Sequence, residues 1–159
     1  MIQIYETDLS STEHAQAFIQ LLDIYAMDPM GGGQPLTGFV RQNLVSNMKQ
    51  RHDAIVVLAF VDSMPAGLVN CFEGFSTFSC KPILNIHDVI VAPKYRGQGI
   101  SQKMLHKVEQ IAQQRGCCKL TLEVLENHTI AKAAYHKFGF DGYQLDPKYG
   151  NALFWQKKL

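Results

Sequence analysis

The sequence predicts an α/β (α+β) fold in which a mixed sheet carries helices on both faces. Three observations carry this expectation. The hydrophobic period switches between the strand value of two and the helical value of about 3.6 along the chain. The elements follow one another as strand, two helices, three strands, helix, strand, helix and two strands. A short glycine-containing turn joins the fourth strand to the strongest helix.

Residues 2–7 read as the first strand. Ser10-Ser11-Thr12-Glu13 has capping-box spacing ahead of a helix with Phe18, Leu21, Leu22 and Tyr25 on one face. That helix should stop near Asp28-Pro29, because a residue before proline avoids the helical region. Gly31-Gly32-Gly33 follows as a loop, and a second helix is expected from about Gly38 to Gln50. Strands are expected at Ala54–Val61, at Ala66 to about Phe78 after a turn at Asp62–Pro65, and at Ile83–Val91 after Lys81-Pro82. From Ile100 the apolar residues Met104, Leu105, Val108, Ile111 and Ala112 recur by threes and fours, and Gly116 supplies a stop. Cys118–Val124 alternates as a strand, Thr129–Phe138 is a short helix, and Gly139–Leu145 and Ala152–Gln156 are expected as the last two strands.

The 159 residues fit a single domain, spanning 1–159, that buries roughly two thirds of its unfolded surface. Hydrophobic residues at 47% and charged residues at 18% argue against disorder. With a net charge of +1 spread along the chain, electrostatics points neither to nucleic acid nor to an anionic membrane surface. The start, Met1-Ile2-Gln3-Ile4-Tyr5-Glu6, lacks the basic and apolar regions of a signal peptide, and no apolar run approaches a membrane span of about 20 residues. A cytoplasmic protein is expected. The four cysteines, Cys71, Cys80, Cys117 and Cys118, form neither a Cys-x-x-Cys nor a Cys/His zinc spacing, so reduced thiols and no metal are expected.

The chemically informative stretch is Val89-Ile90-Val91-Ala92-Pro93-Lys94-Tyr95-Arg96-Gly97-Gln98-Gly99-Ile100-Ser101. It reads as a strand, a glycine turn and a strong helix start. Glycine lets backbone approach a ligand closely, and the free N–H groups of a helix N-terminus attract an anion, a pyrophosphate above all. The phosphate loop Gly-x-x-x-x-Gly-Lys-Ser/Thr is absent, and a dinucleotide fingerprint would need glycine where Gln102 stands.

Arg96-Gly97-Gln98-Gly99-Ile100-Ser101 resembles the Arg/Gln-x-x-Gly-x-Gly/Ala pyrophosphate loop of the GNAT superfamily of acyl-CoA-dependent N-acyltransferases. Ala131-x-x-x-Tyr135-x-x-x-Gly139-Phe140 resembles that superfamily's later signature, and the element order agrees over essentially the whole length. Phe75-Ser76-Thr77-Phe78 followed by Ile86-His87-Asp88-Val89-Ile90-Val91 looks most like the diamine (spermidine/spermine) acetyltransferase branch. The resemblance implies a mostly antiparallel sheet, acetyl-CoA as co-substrate, and transfer of an acetyl group to an amine. Ser101 replaces the usual final glycine or alanine of the loop, but it is small and its N–H is the part a phosphate needs. Asn127 sits one place early relative to the family's asparagine, with His128 in the usual slot. It reads either as a cofactor contact or as a helix N-cap.

Amine acetylation needs a deprotonated nucleophile and a donor to the departing thiolate, since an alkyl amine titrates near ~10.4 and a thiol near ~8.5. The resemblance puts Tyr135 beside the CoA sulfur as general acid, whereas spacing alone reads it as a core aromatic beside Ala131. His87 is the candidate base, standing where the diamine branch usually carries a glutamate, and imidazole is suited to accepting a proton near neutral pH. A structural histidine bonded to Asp88 is the competing account, and Glu73 and Glu123 are rival bases. The resemblance implies that the main chain of Val89, Ile90 and Val91 holds the acetyl carbonyl and pantetheine arm. Asp28 matches a position near the acceptor pocket of that branch, or else merely ends its helix; Asp88 and Glu73 are further candidates for holding the acceptor.

A small-molecule amine is the expected partner, and a homodimer is left open. Because His87 removes a carboxylate that a polycation would use, an amine with one amino group, or with a polar or acidic partner group, is expected over spermine. Acetylation of a protein or peptide, or a non-catalytic acyl-CoA-binding module, are the alternatives.

Overall fold

The computed structural model describes residues 1–144 and 146–159. Its elements are β1 (Ile2–Glu6), α1 (Thr12–Met27), α2 (Gly38–Lys49), β2 (Ala54–Val61), β3 (Met64–Ser76), β4 (Lys81–Val91), α3 (Ile100–Gln114), β5 (Leu120–Leu122) and α4 (Thr129–Phe138), with short 3-10 turns at Pro93–Tyr95 and Pro147–Tyr149. The strands form one sheet in the order β1-β2-β3-β4-β5. Every neighbouring pair is antiparallel except β4 and β5. The expected mixed, mostly antiparallel sheet is therefore present.

Two strands show that both faces of this sheet are covered. Ile55 to Phe60 of β2 and Ala66 to Cys71 of β3 are buried without a break, whereas a sheet packed on one face alternates. The helix α3 closes one approach by laying Ile100, Met104, Leu105, Val108, Ile111 and Ala112 into the core. Its docking requires glycine at position 67 of β3. A Cβ there would sit 2.8 Å from the Met104 Cε and 3.2 Å from the Ile100 Cγ2.

The connections carry their own chemistry. The N-cap of α1 is Ser11, whose Oγ accepts the His14 N–H, so the cap lies one residue beyond the start of the expected box. Asp23 of α1 accepts Arg41 Nη2 on both carboxylate oxygens at 2.8 Å and the Leu36 N–H at 2.8 Å, fastening α2 and its leading loop to α1. Asp62 and Ser63 both take positive φ, 49° and 64°, closing a two-residue hairpin between β2 and β3. The β3–β4 turn lies at residues 77–80 and not at Lys81-Pro82, which are paired with Ser76 and Phe75 inside the ladder. Proline at the second position of a strand is tolerated because few ladder donors are needed there.

The C-terminal third departs further from expectation. β5 is only three residues long, not Cys118–Val124. Neither Gly139–Leu145 nor Ala152–Gln156 forms a strand among the described residues, and Leu145 lies outside them. Leu153, Phe154 and Trp155 are 73%, 75% and 83% exposed. Such a short apolar run is strand-like, but a strand exists only by pairing, and β5 offers an edge of three residues.

Candidate active site

The site follows from where β4 and β5 part. Their parallel pairing runs from Leu84–Leu120 to Ile86–Leu122 and stops, while β4 continues to Val91. Beyond Ile86, β4 is paired only with β3, so its other edge presents free main-chain groups to a cleft. At the mouth of this cleft β4 carries a bulge. Asn70 lies opposite Asp88 and Cys71 opposite Ile86, which makes His87 the extra residue. A bulge bends its strand and re-aims a side chain. His87 is exposed, its ring T-shaped against Phe72 with centroids 5.5 Å apart.

β4 runs through the Pro93–Tyr95 turn into the glycine loop and α3. Gly97 and Gly99 have φ of 79° and 72°, which other residues adopt only under strain. A Cβ at either would meet nothing within 4 Å, so backbone conformation and not crowding requires glycine. Gly99 is the N-cap of α3 and has no side chain to satisfy the helix start. The Lys103 N–H bonds the Gly99 carbonyl at 3.2 Å, leaving the N–H groups ahead of it without partners in the helix. Open space, unpaired donors and the positive end of a helix dipole together make an anion cradle.

Arg96 stands beside this cradle. Its Nε donates to the Val91 carbonyl and its Nη2 to Asp28 Oδ2, each at 3.1 Å. Asp28 is the C-cap of α1, and its Oδ1 accepts the Met30 N–H at 2.9 Å. That amide, followed by Arg96, holds the Asp28 carboxyl below its ordinary 3.8.

The opposite wall is α4. His128, not Asn127, is its N-cap, with Nδ1 accepting the Ala131 N–H at 3.4 Å. Gln102 of α3 donates to the Ala134 carbonyl at 2.9 Å and ties α4 to the cradle helix. One turn after Ala131, Tyr135 faces the cleft, its ring edge against Phe140. Burial, with the nearby Tyr25 second, pushes its hydroxyl up to about 12. Tyr135 is thus a neutral hydrogen-bond donor across the working pH range.

These walls enclose a cavity of about 500 Å³ reaching from Arg96, Gly97, Gly99, Ile100 and Ser101 at one end to Tyr135 at the other. A second cavity, of about 350 Å³, opens on the β5 side and holds His87 and Glu123. Tyr25, Met30, Val89, His128, Ala131 and Tyr135 line both.

Residues 18–140 match the Acetyltransferase (GNAT) family. The chain belongs to the GNAT family. It is 38% identical to the thialysine N-epsilon-acetyltransferase of Bos taurus over 68 residues, 43% of this chain and 39% of that protein. It is 38% identical to the streptothricin acetyltransferase of Streptomyces lavendulae over 63 residues, 40% of this chain and 33% of that one. Each match therefore spans well under half of the relative's own length. Among solved structures, an aminoglycoside acetyltransferase from an uncultured soil metagenomic sample, in complex with sisomicin, superposes with TM-score 0.79 at 15% identity, covering 99% of this chain and 97% of that one. AAC(6')-Iy in complex with the bisubstrate analog CoA-S-monomethyl-acetylneamine gives 0.76 at 15%, covering 100% and 99%. At such identity these two show a shared GNAT fold.

Within this GNAT chain the structure brings together Val89, Ile90, Val91, Arg96, Gly97, Gly99, Ile100, Ser101, Asn127 and Tyr135 along one cavity. Gln98 is exposed and does not line it. Asp28 lines the cleft but is committed to Arg96. Asp88 accepts a hydrogen bond from Asn70 Nδ2 at 3.0 Å, not from His87, and lines neither cavity. Glu73 pairs with Arg115 at 3.0 Å, away from both cavities. Tyr25, Met30 and His128 are site residues that sequence reasoning missed. Tyr25 reads as part of a core stripe, and only its place in the last turn before a glycine loop marks it out. Among the described residues no group of three or more His, Cys, Asp or Glu is placed to hold a metal ion, and no helix is long and apolar enough to cross a membrane.

Proposed function

We propose that the protein transfers an acetyl group from acetyl-CoA to a primary amine of a small molecule by direct attack. The observation that carries this reading is the single cavity joining an anion cradle at the α3 N-terminus to a half-buried phenol donor, with a free strand edge between them. When bound, acetyl-CoA supplies an activated thioester. The N–H groups at the start of α3, with Arg96, would hold its pyrophosphate, and the main chain of Val89 to Val91 its pantetheine arm. Asn127 lines the same wall.

His87 and Tyr135, which both line the second cavity, divide the proton work. His87, set forward by its bulge, accepts the proton that the incoming ammonium must lose. Tyr135 donates to the sulfur as it departs. A phenol held near about 12 stays protonated, so it serves as donor and not as base. Of the rival bases, Glu123 shares the second cavity with His87, whereas Glu73 is held by Arg115.

The test is a panel of amines with acetyl-CoA, following release of free thiol alongside direct measurement of CoA binding. Amine-dependent thiol release supports the reading. Tight CoA binding with no amine-dependent release would instead make the chain a binding module.

A further inference from the structure

The charge inventory of the second cavity limits what it accepts. Resting on the acetyl-transfer reading, we propose that the acceptor is a compact amine bearing a single ammonium group, and that Glu123 is the carboxylate that draws it in. The carboxylates that a polycation would need are present in the chain but engaged elsewhere. Asp28 holds Arg96 and Glu73 holds Arg115, while Asp88, hydrogen-bonded to the Asn70 amide, lines neither cavity. Glu123 alone among them lines the cavity of about 350 Å³, and it has no ion-pair partner among the described residues.

The other walls give a second ammonium no counter-charge. Met30, Leu122, Val124, Leu125 and Phe154 are apolar, and the remaining ionisable groups are the His87 and His128 imidazoles and the Tyr25 and Tyr135 phenols. Imidazoles become cationic on protonation and repel a cation. An ammonium placed against such walls gives up part of its hydration and gains no counter-charge in return. The volume lies at the lower end of the range of about 300–1,000 Å³ usual for ligand cavities, which favours a compact body. Tyr25 rests between this cavity and the cofactor cleft. Burial first, then Asp88 and Asp28, raises its hydroxyl above 10.0, so it adds no negative charge.

The experiment compares kcat/KM at saturating acetyl-CoA for butylamine and phenethylamine with that for spermidine, lysine and sisomicin. The single-ammonium amines should lead by about tenfold, the discrimination that one unmatched charge brings near a protein surface. Glu123→Gln should lower kcat/KM for the monoamines by about tenfold while CoA affinity is unchanged. Leu125→Glu, at a 57% exposed position that tolerates charge, should raise the ratio of spermidine to butylamine turnover by placing a second carboxylate on the wall. A clear lead for spermidine, lysine or sisomicin in the unaltered protein overturns this inference and leaves acetyl transfer standing. Absence of turnover with every amine, despite CoA binding, overturns acetyl transfer and the inference with it.

Discussion

At the scale of single residues, two substitutions separate cofactor binding from chemistry. Gly99→Glu places a carboxylate among the donors at the α3 start, in a backbone conformation that costs an L-residue about 1–2 kcal/mol. No neighbour lies within 4 Å of the new Cβ, so the fold should survive with a modestly lowered melting temperature. CoA affinity should fall by more than tenfold in a calorimetric titration; an unchanged affinity would remove the cradle from the argument. Tyr135→Phe keeps the ring that packs against Phe140 and deletes only the hydroxyl. CoA affinity should hold, while kcat should drop by about 10²–10⁴-fold, the worth of one general acid. Full turnover in this variant would reduce Tyr135 to a packing residue.

At the scale of elements, the short contacts that orient α1, α2 and α4 matter more than the sheet, which is held by its own ladder. Asp23 gathers Arg41 and the Leu36 amide at 2.8 Å, and its side chain is only 17% exposed. Asp23→Ala removes three charge-assisted bonds at once and should destabilise by about 2–3 kcal/mol. Thermal unfolding should shift down by roughly 2–4 °C per kcal/mol at this chain length. Because Asp28 and Met30 follow directly on α1, the same variant should raise KM for the amine more than KM for acetyl-CoA. Equal effects on both would show that the α1–α2 connection does not shape the acceptor side.

At the scale of the whole molecule, the buried Cys71 and the half-buried Tyr135 link stability to alkaline pH. Burial, with the nearby Asp88 charge second, pushes the Cys71 thiol from 9.0 up to about 12. Burial raises Tyr135 from 10.0 to about 12. In the unfolded chain these groups release their protons at the lower values, while the folded protein retains them. Their contribution to stability is therefore intact below 9.0 and is lost as pH rises toward about 12. Chemical denaturation across this interval should show stability falling first from the Cys71 threshold and more steeply beyond the Tyr135 one. Cys71→Ala should lower stability overall yet remove the earlier part of the pH slope. An unaltered slope in that variant would mean that Cys71 is not the group responsible.

Local pattern carried most of the fold and half of the site. The helix and strand periods of Phe18–Leu21, Ile55–Phe60 and Ile100–Ala112 are properties of neighbouring residues, so α1, β2 and α3 could be read directly. The same holds for the Arg96–Ser101 loop and for Ala131 with Tyr135, which are contiguous or one turn apart. The last strands could not be read this way. The apolar run Leu153-Phe154-Trp155 is genuine, yet whether it becomes a strand depends on a partner edge that no local window contains. The engagement of the carboxylates was equally hidden. Asp28 meets Arg96 across 68 positions and Glu73 meets Arg115 across 42. Sequence determined which side chains were available for acid, base and charge, because that is composition and local period. Only the tertiary structure decided which carboxylates were already spent and which one, Glu123, was left facing the cavity, because a charge is consumed by whatever folding brings within about 3–4 Å of it.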